Sequence, residues 1–221
     1  MSDPVAFGKL YEPKLSKWLV DGLVPEGSIT LLTGGRQSGK TILALSFVRG
    51  IATGQAFLGN HCERHPVAYF NRYETKSELW QLTTKVTSGI LNGLDATQAS
   101  VYGCWDSDGR IPNIEDAQLE EMVKAGKVLV FDTIPDPKEI DCPEDFLRRA
   151  RRLAKGGPGL FMFGSTLWNR VQAARNMTDV HFALTKTGDS IVVEHLKLGR
   201  KFIVGIPLNQ LGGFQMSVSP G

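Results

Sequence analysis

Gly34-Gly35-Arg36-Gln37-Ser38-Gly39-Lys40-Thr41 constrains this chain more than any other stretch of it. Gly34, four residues, then Gly39-Lys40-Thr41 is the Walker A spacing, in which glycines let backbone N–H groups curl around phosphate oxygens. The pattern has meaning only between a strand and a helix, and both flanks are legible. Ser28–Thr33 is a short β-rich run entered through Pro25-Glu26-Gly27. From Lys40 to about Ala52, the apolar residues Ile42, Leu43, Leu45, Phe47, Val48 and Ile51 suit a helix packed against a sheet. An ATP molecule is therefore expected on Gly34, Gly35, Arg36, Gln37, Ser38, Gly39, Lys40, Thr41 and Ile42. Lys40 would reach the β- and γ-phosphates, Thr41 would ligate Mg²⁺, and the positive end of the helix would face both.

The rest of the chain alternates in the way such a loop requires. Val67–Phe70 reads as a strand, Lys76 to Leu91 as a helix, and Ser100–Cys104 as a weaker strand. Ile114–Ala125 reads as a helix, Lys127–Asp132 as an apolar strand ending in a carboxylate, Pro143–Lys155 as a helix, and Leu160–Phe163 as a strand. Then the pattern changes: Val180–Thr185, Ser190–Leu198 and Phe202–Leu208 are consecutive strands, the first two joined by Lys186-Thr187-Gly188-Asp189. The expected fold class is α/β, a mostly parallel central sheet flanked by helices, with antiparallel strands added near the C-terminus. Residues 1–15 read as an N-terminal arm and 16–221 as one domain, which the 221-residue length accommodates.

Two carboxylates are placed to serve a phosphate loop. Asp132 ends an apolar strand, where sheet ligands bind, and either holds Mg²⁺ or starts an ordinary turn before Pro135. Glu74 follows Val67–Phe70 and has two readings of equal standing. It orients the attacking water from a neighbouring strand end, or it is a helix N-terminal acid with Thr75 or Ser77 as cap. Thr185-Lys186-Thr187-Gly188-Asp189 has one residue too many for a guanine-reading motif, and no transporter-type Ser-Gly-Gly signature occurs. A small-molecule kinase is disfavoured by the long run before the loop and by the lack of an arginine-rich lid.

Beyond the loop itself, Trp18-Leu19-Val20-Asp21-Gly22-Leu23-Val24-Pro25-Glu26-Gly27-Ser28, Thr41-Ile42-Leu43-Ala44-Leu45 and Ala52-Thr53-Gly54-Gln55-Ala56-Phe57-Leu58-Gly59 carry a resemblance. They resemble the RecA-like ATPases related to plasmid RepA helicases, DnaB-type hexameric replicative helicases and KaiC, over most of residues 16–210. That resemblance implies a RecA-like fold, a homo-oligomeric ring or filament, and ATP bound between subunits. It implies Glu74 as the catalytic carboxylate and Ser165 and Thr166 as sensor positions. It also implies Lys197 and Arg200 as basic fingers toward a neighbour's ATP. Two readings of function follow: a nucleic-acid-dependent motor, and a KaiC-like regulatory ATPase that switches a protein partner.

By the same resemblance, contacts to single-stranded DNA would fall near 134–143 and 166–179. The second segment carries Arg170 and Arg175, with Trp168 either stacked on a base or buried at the root of a solvated loop. Arg148, Arg149, Arg151, Arg152 and Lys155 read as a solvated helix face. His61-Cys62-Glu63-Arg64-His65 has no second cluster to complete a zinc site and reads as a surface loop. A net charge of +2 decides nothing about nucleic acid, because local patches matter more. Three scattered cysteines, no signal-peptide stretch and no run of roughly 18 apolar residues lead to a cytoplasmic expectation without membrane spans.

Overall fold

The computed structural model describes residues 17–103, 117–188, 190–205 and 218–220. The expected arm, Cys104, the opening of the helix from Ile114, Asp189 in the hairpin turn and the strand end beyond residue 205 lie outside the described residues.

β3 (Ser28–Gly34) is buried at every position, because it lies inside the sheet and carries helices over both faces. Among the described residues one sheet has the order β11-β10-β9-β8-β3-β7-β6-β4-β5. Its other strands are β4 (Val67–Asn71), β5 (Ala99–Gly103), β6 (Val128–Asp132), β7 (Gly159–Gly164), β8 (Val180–Thr187), β9 (Ser190–His195), β10 (Arg200–Gly205) and β11 (Val218–Pro220). From β8 to β5 every pairing is parallel; β9, β10 and β11 add antiparallel pairings at one edge. This is the expected mixed sheet. The lead-in, which the sequence pattern did not resolve, forms a separate antiparallel pair, β1 (Trp18–Val20) with β2 (Val24–Pro25).

Strand alternation divides the core between the two faces. Leu32, Val67, Tyr69, Val128 and Val130 pack with residues of α1 (Lys40–Thr53) and α2 (Lys76–Thr87). Ile29, Leu31, Phe70, Leu129 and Phe131 pack with residues of α3 (Ala117–Lys124) and α4 (Pro143–Lys155), and with Ala173 and Ala174 of α5 (Gln172–Met177). Asp132 shares the parity of Val128 and Val130, so its side chain falls on the α1 face, beside the loop.

Local signals set the helix ends. Thr75 and Glu78 form a reciprocal capping box at the start of α2, with Glu78 N–H donating to Thr75 Oγ1 at 3.3 Å. That helix stops at Thr87 rather than Leu91, because Ser88 and Gly89 turn left-handed at φ 53° and 75°. β9 ends at His195 rather than Leu198, because Gly199 turns back at φ 65° and donates its N–H to His195 O at 2.8 Å. No helix among the described residues is long and apolar enough to cross a membrane.

Candidate nucleotide site

The parallel register brings one end of the sheet together. Asn71 lies opposite Asp132, Asp132 opposite Phe163, and Thr33 opposite Gly164, so β3, β4, β6 and β7 all deliver their carboxyl ends to one rim. That rim is where open α/β sheets bind ligands.

The phosphate loop has the backbone that its glycines permit. Gly39 sits at φ +89°, and a Cβ there would lie 2.1 Å from Ile191 Cδ1. Glycine is thus required at this position both by conformation and by the close approach of β9. As the N-cap of α1, Gly39 offers no side-chain hydrogen bond to the helix start, which leaves that end to be capped by an anion. Ser38 Oγ is buried without a hydrogen-bond partner. Arg36 and Gln37 are exposed, and Ile42 packs partly against the core. Lys40 Nζ donates to Gly34 O at 3.0 Å and Gly35 O at 2.7 Å, folded over the loop. Burial lowers the Lys40 pKa, while Asp132, Asp136 and Glu74 oppose that shift.

Three oxygen-bearing side chains converge next to the amine. Thr41 Oγ1 donates to Glu74 Oε1 at 3.2 Å. Asp132 is 2% exposed and accepts from Tyr69 Oη on Oδ2 at 2.8 Å and from Thr133 Oγ1 on Oδ1 at 3.2 Å. Desolvation raises the Asp132 pKa; hydrogen bonds from Tyr69, Thr41 and Thr133 and the charge of Lys40 counter it. Glu74 is raised as well, first by desolvation and then by the Asp132 charge, with its own backbone N–H and Thr41 opposing. Two carboxylates and a hydroxyl form a hard oxygen set that fits Mg²⁺. An anion-ready helix start and a folded-over lysine fit the phosphates that would accompany it.

Two positioning side chains escaped sequence reasoning. Asn71, fully buried, donates its Nδ2 to Glu74 O at 2.6 Å and accepts from Glu74 N–H at 3.4 Å, fixing the turn that presents Glu74. Tyr69 approaches Asp132 from the adjacent strand. Its signal was a polar atom inside an apolar strand, on the same face as Asp132.

Other expected site residues fall elsewhere. Ser165 accepts from Leu167 N–H at 3.3 Å and caps the 3-10 turn Thr166–Arg170, and Thr166 is exposed. Behind the loop, Asn169 Oδ1 accepts from Thr33 Oγ1 at 2.7 Å and lies 3.1 Å from His181 Nε2. Trp168 is fully buried and donates Nε1–H to Pro135 O at 3.0 Å, so it is a core anchor and is not free to stack on a base. Arg170 and Arg175 are exposed. Lys197 lies in the β9–β10 turn at the antiparallel edge and its Nζ donates to Thr178 O, while Arg200 opens β10, three strands from β3 and level with Leu32 through His195 and Phe182. Val180, which starts β8 just after Thr178, pairs with Thr30, four residues below Gly34 or roughly 13 Å along the strand. His61, Cys62 and His65 do not converge: Cys62 points into the core, and burial pushes its thiol up to about 12. No cluster of three or more His, Cys, Asp or Glu that could hold a metal occurs among the described residues.

Comparison with known proteins agrees with this geometry. The AAA domain family model (AAA_25) matches residues 2–141, which contain the loop, Glu74 and Asp132. No curated protein matches the chain. The crystal structure of the flagellar accessory protein FlaH from Methanocaldococcus jannaschii superposes with a TM-score of 0.59. It is 14% identical and covers 88% of this chain and 90% of that one, a likeness of fold alone. With a Walker A loop on β3, a mostly parallel sheet and a family match over more than half its length, the chain belongs to the AAA domain family, as a RecA-like P-loop ATPase.

Proposed function

We propose that this protein hydrolyses ATP·Mg²⁺ and does so as an oligomeric, nucleic-acid-dependent motor. The observation that carries the hydrolytic reading is Glu74 itself, held by Asn71 so that its carboxylate meets Thr41 beside Asp132. Lys40, now on the carbonyls of Gly34 and Gly35, would exchange them for β- and γ-phosphate oxygens. Thr41 and Asp132 would hold Mg²⁺, which supplies charge neutralisation on the phosphates when bound. Glu74 would release Thr41 and orient the attacking water, accepting its proton.

Lys197, held on Thr178 O, and Arg200, three strands from β3, both stand away from their own phosphate loop. As fingers they would reach only the nucleotide of another copy, which supports a head-to-tail ring or filament. Arg170, in the turn after the carboxyl end of β7, and Arg175, on the helix that follows, support the nucleic-acid reading, because exposed guanidinium groups suit phosphate contacts.

The regulatory, KaiC-like reading has an observation of its own. The other segment expected to touch DNA contains Asp136, Glu139 and Asp141, followed by Glu144 and Asp145, a run of charge that repels phosphates. The burial of Trp168 also removes one aromatic platform. Steady-state ATP turnover with and without single-stranded DNA separates the two. Stimulation that is lost in the Arg170→Ala/Arg175→Ala variant supports the motor. Slow turnover indifferent to DNA supports the regulatory ATPase.

A further inference from the structure

Tyr69 is a buried hydroxyl in the middle of a sheet, where phenylalanine would fill the same space without a polar group to satisfy. It is 1% exposed, and its hydroxyl donates to Asp132 Oδ2 at 2.8 Å. The register explains the reach. Tyr69 pairs with Val130 and Asn71 with Asp132, so Tyr69 and Asp132 share a face on adjacent strands, offset by two residues. The ring packs in the same core as Leu45, Val48 and Leu79, which fixes its direction.

Two hydroxyls donate to the Asp132 carboxylate, Tyr69 and Thr133, while Thr41 beside it donates to Glu74. They are not equivalent. Thr133 follows Asp132 in the chain and moves with it. Thr41 belongs to the phosphate loop and is itself an expected Mg²⁺ ligand. Tyr69 alone comes from a separate, fully buried strand, so only Tyr69 ties the carboxylate to the rigid sheet.

We propose that Tyr69 is a positioning residue for Mg²⁺ binding: its phenol occupies Oδ2 and fixes the Asp132 carboxylate in the orientation that receives the cation. The inference rests on the nucleotide-site reading above. A partner that orients a metal-ligating carboxylate typically changes metal affinity by about 10–100-fold when removed.

The test is Tyr69→Phe, which keeps the ring and removes only the hydroxyl. A fluorescent ATP analogue is titrated first in excess chelator and then over a series of Mg²⁺ concentrations, in the wild type, Tyr69→Phe, Asp132→Asn and the double variant. The expected result is unchanged affinity without metal and an increase of about tenfold in the Mg²⁺ concentration that half-tightens nucleotide binding. In the Asp132→Asn background, Tyr69→Phe should add nothing further. An unshifted Mg²⁺ midpoint would overturn the proposal, as would an equal loss with and without metal, or additive losses in the double variant. A wild type that binds the analogue but ignores Mg²⁺ would instead remove the metal-site reading on which the proposal stands.

Discussion

The parallel half of the central sheet and its antiparallel edge do different things with charge. At the carboxyl rim, β3, β4 and β6 deliver Lys40, Thr41, Glu74 and Asp132 to one cluster, in which Thr41 donates to Glu74 and each carboxylate's pKa is raised by burial. At the antiparallel edge, Lys197 and Arg200 stand exposed around the β9–β10 turn, and the lysine is tied to a carbonyl of its own chain. The first is a convergent, desolvated cluster formed within one chain. The second has the charge for a site and no ligand position of its own. The contrast teaches that charge alone does not mark where chemistry occurs, since desolvation and convergence do; the trans-finger role proposed for the antiparallel edge is what separates it from an ordinary solvated turn.

The largest expected effect would break that division. Arg200→Ala and Lys197→Ala should each leave ATP affinity within about twofold and lower turnover by up to ~10³-fold, the scale of a trans-acting finger. Mixing Arg200→Ala with Lys40→Ala protein should restore part of the activity, because intact loops then meet intact fingers. Full turnover in the single variants would reduce the antiparallel edge to a solvated turn. Next in size is Lys40→Ala itself, which should weaken ATP binding by on the order of a hundredfold in direct titration, consistent with loss of a charge-assisted contact.

Gly39→Ala sharpens the same contrast in stability. Its φ of +89° and the approach of Ile191 should cost about 3 kcal/mol in denaturant unfolding. Gly188→Ala, also at positive φ (58°) but with nothing within 4 Å of a Cβ, should cost less. The smallest effect concerns His181, whose pKa is pushed to about 4 by burial and then by Lys197, Arg175 and His195. Its folded value lies below the unfolded value of 6.5, so the unfolded chain takes up the proton first and stability falls as pH drops from about 6.5 toward 4. Between pH 7 and pH 5.5 the loss should be about 1 kcal/mol, and His181→Gln should flatten that limb of a Tm-versus-pH series.

Most of the architecture was legible because its signals are local. The Walker A glycines, the apolar run ending at Asp132 and Pro143 opening α4 each announce a boundary without reference to the rest of the chain, whereas Lys186 and Thr187, expected in the hairpin turn, belong to β8 and pair with Ile191 and Ser190. The parallel sheet with an antiparallel edge followed from that order of elements. What was not legible depends on register. Asn71 and Tyr69 acquire their roles only when β4 is set beside β6, and a one-residue slip would turn Tyr69 to the other face. The sequence left Glu74 divided between a carboxylate that orients water and a helix N-terminal acid beside a Thr75 or Ser77 cap; in the structure Thr75 is the cap, and the Glu74 carboxylate accepts from Thr41. Trp168 was open between stacking on a base and burial at the root of its loop, and the structure buries its indole in the α4 face of the core.

The most direct test of the central claim is ATP hydrolysis by Glu74→Gln, measured with Mg²⁺·ATP affinity on the same preparation. The account expects turnover to fall by about 10²–10⁴-fold while affinity stays near wild type. It also expects the wild-type acid limb, set by the raised Glu74 pKa, to lie above the ordinary glutamate value of 4.5 and to disappear in the variant. Undiminished turnover in Glu74→Gln would contradict the account, and the catalytic carboxylate would have to be sought elsewhere.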